Sequence, residues 1–270
     1  MPNKEEKRIT EQSSFYEHLE KMSVAELTAH INAENQKVAQ AIEKALPAIN
    51  QLISAIEVQL KKGGRLATLD TIEVQNTYGI DGSQIQAIFP GGIGCLTQTR
   101  ESREDDLENG WHQLCDKHIS KHDFVLGFSA SGTTPFVLAI LKHCKEEGIP
   151  TGCIVNNPHA PIALTADYPV EVITGPEFVT GSTRMKAGSS QKMILDMIST
   201  SLQIRQGRVE GNKMVNAKLI NHKLIDRACR IFMERNPEYT DYEEVKQLIL
   251  KAGSVRKAED LLKSKSDLDV

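Results

Sequence analysis

The sequence predicts an α/β fold: a doubly wound, mainly parallel sheet with a helical N-terminal arm and a small C-terminal helical appendage. Three observations lead there. Short apolar runs recur through the middle of the chain, at Gln84–Pro90 (QIQAIFP), Asp123–Ser129 (DFVLGFS), Thr151–Asn157 (TGCIVNN) and Tyr168–Thr174 (YPVEVIT). Helical stretches separate them, as the strands of a parallel sheet covered on both faces require. Both ends of the chain carry apolar residues at helical rather than strand spacing.

Each element has a local reason. Ser23-Val24-Ala25-Glu26 is a capping box, able to satisfy the first free N–H groups of a helix. Leu27 and Ile31 then share a face, and Val38, Ile42 and Leu46 repeat the spacing. Pro47 suits the first turn of a new helix running through Ile49, Leu52, Ile53 and Ile56, which Lys62-Gly63-Gly64 ends. Pro135–Glu147 reads as a helix with Phe136, Ile140 and Leu141 on its stripe. A longer one runs through Met185–Gln206, where Met193, Ile194, Met197, Ile198 and Leu202 form the apolar face and the methionines fill gaps. After a polar bend at Gly207–Asn212 comes a helix through Leu219–Glu234, broken at Asn236-Pro237. Thr240-Asp241-Tyr242-Glu243 can cap a short helix, and Ser254 another ending near Lys263, after which the chain frays. The division expected is an N-terminal arm over 1–43, the α/β domain over 44–207 and a helical region over 208–270.

Composition narrows the function. At 270 residues, 40% hydrophobic and 25% charged, the chain is an ordinary globular one. A net charge of −4 gives no general attraction for nucleic acid or an anionic membrane, so any phosphate must be held by local geometry. The five cysteines (Cys95, Cys115, Cys144, Cys153, Cys229) are scattered and form no zinc pattern. The start, Met1-Pro2-Asn3-Lys4-Glu5-Glu6-Lys7, is charged and unlike a signal segment, so a reducing cytoplasm is expected.

The strongest local signal is Ser129-Ala130-Ser131-Gly132-Thr133-Thr134-Pro135, which follows an apolar run and precedes a helix. Small residues let backbone approach a ligand, while hydroxyls and helix N-terminal N–H groups can hold phosphate or sugar oxygens. A plain strand-to-helix turn with a Ser or Thr cap is the alternative. The run lacks both the Lys-Ser/Thr ending of a P-loop and the G-x-G-x-x-G of a dinucleotide site. A second candidate is Gly175–Lys186, in which Ser182 or Thr183 can cap the long helix. There Arg184 or Lys186 can meet an anion or pair with a carboxylate. Glu73, Glu101, Glu104, Asp105 and Asp106 are the acidic candidates, and the eight histidines form no triad or metal pattern.

Together these segments resemble the N-acetylmuramic acid 6-phosphate etherases. The match runs from Arg8-Ile9-Thr10-Glu11 to about Arg230 and includes Ile31-Asn32-Ala33-Glu34-Asn35, Lys62-Gly63-Gly64-Arg65-Leu66, Ser129–Pro135 and Asn156-Asn157-Pro158. It continues through Thr180–Gly188, Gly211-Asn212-Lys213-Met214-Val215 and Asn221-His222-Lys223-Leu224. Glucokinase regulatory proteins look like relatives. The resemblance implies a sugar-isomerase (SIS) fold, a homodimer and a phosphorylated amino-sugar substrate. It implies elimination and hydration at a D-lactyl ether, with no metal or organic cofactor. By position, Glu73 and Glu104 correspond to the family's proton-transfer pair. Ser129, Ser131, Gly132 and Thr133 correspond to its sugar-phosphate loop, and Thr134 completes the candidate set. A non-catalytic sugar-phosphate sensor and an aldose–ketose isomerase of the same fold are the alternatives.

One departure stands out. The family pattern has a first strand and a Gly-rich phosphate loop after Gly-Gly-Arg-Leu, whereas here Leu66 runs directly into Ala67-Thr68-Leu69-Asp70. About eleven residues of the pattern are missing, and in a doubly wound sheet the first strand is usually central. The surroundings of Glu73 (Val74-Gln75-Asn76) and the segment Phe89-Pro90-Gly91-Gly92 also differ from the family form. Three accounts are open. Residues of the polypeptide are missing from the sequence between Leu66 and Ala67, which the well-kept flanks favour; or a deletion fell between two Arg-Leu repeats; or Arg65–Leu69 serves as a substitute strand, with loss of activity.

Overall fold

The computed structural model describes residues 8–68, 72–92 and 101–266, except the side chains of 72, 73, 101, 102, 265 and 266. They form two units, one from Met1–Leu69 and Ser83–Ile198, the other from Asp70–Gly82 and Ser199–Val270. Position 43 falls inside a helix of the first unit.

Short 3₁₀ turns at Ile9–Glu11 and Leu19–Lys21 lead into α1 (Val24–Lys61). The capping box forms as expected: Ser23 accepts from the Glu26 N–H while Glu26 accepts from the Ser23 N–H. Pro47 does not start a second helix, because α1 is continuous through it. A proline inside a helix costs about 3 kcal/mol. Here Val38, Ala41, Ile42, Ala45, Ile49, Leu52, Ile56 and Leu60 bury one unbroken stripe while Pro47 lies on the exposed side. There the carbonyl that loses its donor can meet water. Leu46, expected on that stripe, is on the solvent side at 38% exposure.

The sheet holds β1 (Leu66–Thr68), β2 (Ile85–Ala87), β3 (Phe124–Ser129), β4 (Thr151–Val155) and β5 (Tyr168–Glu171) in the order β2-β1-β3-β4-β5, all parallel. The helices of this unit after α1 are α3 (Asn109–Asp116), α4 (Pro135–Glu146), α5 (Pro161–Thr165) and the first part of α6 (Lys186–Arg205), while α2 (Ile72–Tyr78) belongs to the other unit. Two glycines show how closely helices cover both faces. A Cβ on Gly152 would come within 2.4 Å of Leu52 on α1, and one on Gly127 within 2.7 Å of Val137 on α4. The strands alternate accordingly. Ala67, Val125, Cys153 and Val155 join Phe136, Ile140 and Leu141 in one apolar cluster.

The first strand is therefore present, rebuilt from three residues. Leu66, Ala67 and Thr68 are all buried and pair with both β2 and β3. The Gly-Gly-Arg-Leu segment sets this register. Gly64 crosses so close to His122 that a Cβ would sit 1.9 Å from its carbonyl oxygen. Arg65 then grips buried Asp123 through its backbone N–H (2.8 Å), Nε (2.9 Å) and Nη2 (2.9 Å), and reaches the carbonyls of Lys117 and His118. Burial pushes the Asp123 carboxyl up, but bonds from Arg65 and the Ser120 N–H outweigh it and hold it below the usual aspartate value.

The second unit gathers α2, an antiparallel pair β6 (Val209–Glu210) and β7 (Lys213–Met214), and helices α7 (His222–Arg235), α8 (Tyr242–Ala252) and α9 (Val255–Ser266). Asp241 caps α8, accepting from Glu243 and Glu244 N–H, and the Ser254 hydroxyl accepts from the Lys257 N–H in α9. Phe232, Ile249, Val255 and Ala258 centre its core. The α2 turn is tied in by Lys218 N–H to the Asn76 carbonyl (3.1 Å) and by Arg208 to those of Tyr78 and Gly79. Among the described residues no helix is long and apolar enough to cross a membrane.

Inside the first unit, Lys186 and Glu34 form a buried ion pair at 2.5 Å, both about 2% exposed, and Tyr16 and Lys37 also donate to Glu34. Burial raises the Glu34 carboxyl, but bonds from Lys186, Lys37 and Tyr16 leave it below the ordinary glutamate value. Removing one partner of such a pair typically costs about 3–5 kcal/mol, because a buried charge is left uncompensated. Lys186→Met should therefore lower urea-unfolding stability by about that amount, and adding Glu34→Gln should restore part of it. A folded pKa below the unfolded one stabilises above about pH 4.3 and ceases to do so as pH falls through the folded value. The double variant should accordingly lose less stability than the parent over that acid range, as measured by unfolding at several pH values.

Candidate active site

The turn after β3 is built by its own hydroxyls. Ser129 Oγ lies 2.7 Å from Thr134 Oγ1 and 3.3 Å from Ser131 Oγ, and accepts from the Gly132 N–H at 3.0 Å. Ser131 Oγ accepts from both the N–H (3.2 Å) and the hydroxyl (3.1 Å) of Thr133. Gly132 has φ +70°, and a Cβ there would approach that of Ala160 to 2.3 Å, so both backbone and space demand glycine. Thr134 precedes α4 but makes no side-chain cap, since its hydroxyl is turned to Ser129. With Pro135 at the first helical position, the N-terminal N–H groups of α4 are left without a side-chain acceptor from their cap residue.

Asn157, two residues after β4, holds this turn from behind. Its Nδ2 donates to the carbonyls of Ala130 and Ser131 (3.1 Å each) and to Thr10 Oγ1 (2.9 Å), while its Oδ1 accepts from the Thr10 N–H (3.2 Å). The N-terminal segment is thereby laid across the turn. Arg8 Nη1 donates to Thr133 Oγ1 at 2.5 Å. Further along, Ser14 bonds Thr180 Oγ1 and the Phe178 carbonyl. Arg8, Thr10 and Asn157 were all part of the family pattern, yet sequence reading gave them no role in the site. Their contacts join residues 125 and 147 positions apart, which no local spacing reveals.

In front of the turn lies a cavity of about 370 Å³. Ser129, Ser131 and Thr134 line one side, with Glu104, Glu11, Thr68, Thr183 and Gln191 around it. It opens between the carboxyl ends of β1 and β3. For a 2-1-3-4-5 sheet that is where the strand order reverses, the usual place for a ligand. Thr68 Oγ1, at the end of β1, is buried and has no hydrogen-bond partner among the described residues. A ligand hydroxyl reaching it would relieve an unpaired polar atom.

The predicted residues fall as follows. Ser129, Ser131 and Thr134 line the cavity, and Gly132 and Thr133 complete their turn. Glu104, in a 3₁₀ turn over Glu101–Asp105, is exposed and lines the cavity. Glu73 lies on α2 in the second unit, and its side chain is outside the described residues. Cys144 and Cys153 are buried thiols pushed up to about 12 by desolvation, which makes them packing rather than nucleophiles. Lys186 is not an anion-binding residue, because its ammonium is committed to Glu34. Nor do Ser182 or Thr183 provide the main cap of α6. Buried Glu177 accepts from the Lys186 and Ala187 N–H groups, both at 2.9 Å.

Comparison with known proteins agrees with this fold. A model of the SIS domain matches residues 108–201, and one of the glucokinase regulatory protein N-terminal SIS domain matches residues 37–145. An N-acetylmuramic acid 6-phosphate etherase of Bacteroides thetaiotaomicron is 47% identical over 262 residues, covering 93% of this chain and 94% of the relative. Namesakes from Porphyromonas gingivalis (44% over 269 residues, 96% and 97% covered) and Clostridium botulinum (42% over 264 residues, 93% and 87% covered) are similar throughout. The first alignment spans 262 positions yet takes up 93% of a 270-residue chain, so that relative carries residues with no counterpart here.

The turn's packing can be tested by two glycines of nearly the same backbone. Gly132 (φ +70°) is crowded by Ala160, whereas Gly148 (φ +67°) has open space. Gly132→Ala should lower stability by about 1–3 kcal/mol more than Gly148→Ala, because it adds overpacking to the shared backbone strain. Urea denaturation of the two variants measures the difference.

Proposed function

The chain belongs to the N-acetylmuramic acid 6-phosphate etherase family, and we propose that it cleaves the D-lactyl ether of N-acetylmuramic acid 6-phosphate by elimination and hydration. The observation that carries this reading is the cavity at the end of β1 and β3, with the Ser129–Thr134 hydroxyl turn on one side and the Glu104 carboxylate on another. The turn offers hydroxyls and backbone N–H groups to a phosphate. The remaining volume suits a small sugar, within the usual size range of small-molecule sites.

The chemistry needs few parts. The C2 proton of the sugar becomes acidic once the ring opens and C1 is an aldehyde. A carboxylate removes that proton, and a carboxylic acid protonates the C3 oxygen as D-lactate leaves, giving an unsaturated aldehyde. Water then adds its hydroxyl at C3 and its proton at C2, and the ring closes as N-acetylglucosamine 6-phosphate. General acid–base assistance of this kind contributes about 10²–10⁴-fold. In this reading Glu73 is the base at C2 and Glu104 assists the leaving oxygen. Support for Glu104 comes from its place in the cavity lining, and support for Glu73 from its position in the family pattern. The alternatives of a non-catalytic sensor or an isomerase gain nothing from relatives named as etherases over most of the chain. The same reading makes the enzyme a cytoplasmic homodimer, which sedimentation of the purified protein would check.

Purified protein should release D-lactate from N-acetylmuramic acid 6-phosphate, measured by a coupled lactate dehydrogenase assay. Glu104→Gln and Glu73→Gln should each lower kcat by about 10²–10⁴-fold while leaving product affinity nearly unchanged. Full turnover in either variant would remove that residue from the chemistry.

A further inference from the structure

A phosphorylated sugar brings a nearly dianionic group to a cavity that is poorly supplied with positive charge. Among the described residues lining it, Glu11 and Glu104 are acidic and none is Lys, Arg or His. Lys186, one basic candidate from the sequence, is consumed by Glu34. The described cation bonded to the hydroxyl turn is Arg8. It donates to Thr133 Oγ1, which donates in turn to Ser131 Oγ on the cavity wall. Among the described residues no carboxylate pairs with Arg8, and its partner in the turn is a neutral hydroxyl. An exposed arginine held against a neutral loop, beside hydroxyls and unfilled helix N–H groups, keeps the rest of its donors available to an anion.

Its placement is also enforced. The Thr10–Asn157 exchange of two hydrogen bonds fixes the backbone two residues after Arg8, and the same asparagine holds the carbonyls of Ala130 and Ser131. One buried side chain thus registers the N-terminal segment against the turn. Thr10 is 1% exposed and Asn157 2%, so this link is shielded from water.

We propose that Arg8 is a phosphate-binding residue of the site, and that Thr10 and Asn157 are positioning residues that carry it to the Ser129–Thr134 turn. The proposal rests on the sugar-phosphate reading of that turn. It gives the N-terminal segment a function in recognition: the segment supplies the charge that the described lining of the cavity lacks.

The test is calorimetric binding of N-acetylglucosamine 6-phosphate and of unphosphorylated N-acetylglucosamine to the full chain. Arg8→Ala should weaken the phosphorylated sugar by about 10- to 100-fold, the range for a hydrogen bond to a charged group. It should leave the unphosphorylated sugar and the melting temperature unchanged. Arg8→Lys should recover part of the affinity, since it keeps the charge without the planar fork. Thr10→Val, which keeps the shape and loses the hydroxyl, should weaken the same ligand. Combined with Arg8→Ala it should add little, because both act through one guanidinium. Where lactate release is followed, Arg8→Ala should raise KM with kcat nearly constant. Unchanged affinity in Arg8→Ala, or an equal loss for both sugars, would overturn the proposal while leaving the sugar-phosphate reading in place. A parent protein that does not prefer the phosphorylated sugar would overturn both.

Discussion

The Arg65–Asp123 pair is the constraint on which the binding end of the sheet depends. Asp123 is buried and accepts from the backbone and the guanidinium of Arg65 at once, which fixes the last residue before β1 against the last residue before β3. Phe124 N–H then bonds the Arg65 carbonyl at 2.8 Å, and pairing continues from Leu66. A buried bidentate pair contributes geometry more surely than net stability. Its contribution here is register. With β1 so placed, three residues suffice to fill the position between β2 and β3, and Thr68 ends level with Leu126, three residues short of Ser129.

Much of the fold was readable because its signals are local. The four apolar runs became β2, β3, β4 and β5, and the capping box at Ser23 and the Asp241 and Ser254 caps act on N–H groups two or three residues away. Pro47 misled because its local rule competes with a stripe of eight buried residues along α1, a sum over distance that a single-residue rule does not contain. The short β1 was only one of three open accounts of this segment, for a similar reason. Leu66-Ala67-Thr68 carries little strand character by itself and becomes a strand through pairing on both sides and the grip of Arg65 on Asp123, 58 positions away.

The site divides in the same manner. The Ser129–Thr134 turn announces itself by small and hydroxyl residues between a strand and a helix, and the structure adds that its hydroxyls bond chiefly one another. What the sequence could not show is the support from outside: Asn157 behind the turn, Thr10 against Asn157, and Arg8 over Thr133. These side chains act through contacts between distant parts of the chain. Lys186 illustrates the converse, since a basic residue beside a glycine-rich segment suggests an anion site until Glu34, 152 positions earlier, is seen to neutralise it.

In the proposed reading, the sheet, the pinned turn and the N-terminal segment form a cavity that would hold a phosphate at one end and leave the sugar carbons beside a carboxylate. The most direct measurement is a structure of the protein bound to N-acetylglucosamine 6-phosphate. The account predicts phosphate oxygens within hydrogen-bond distance of the Ser131 and Thr134 hydroxyls, with the sugar extending toward Glu104 and Thr68. A phosphate bound away from the Ser129–Thr134 turn would contradict it.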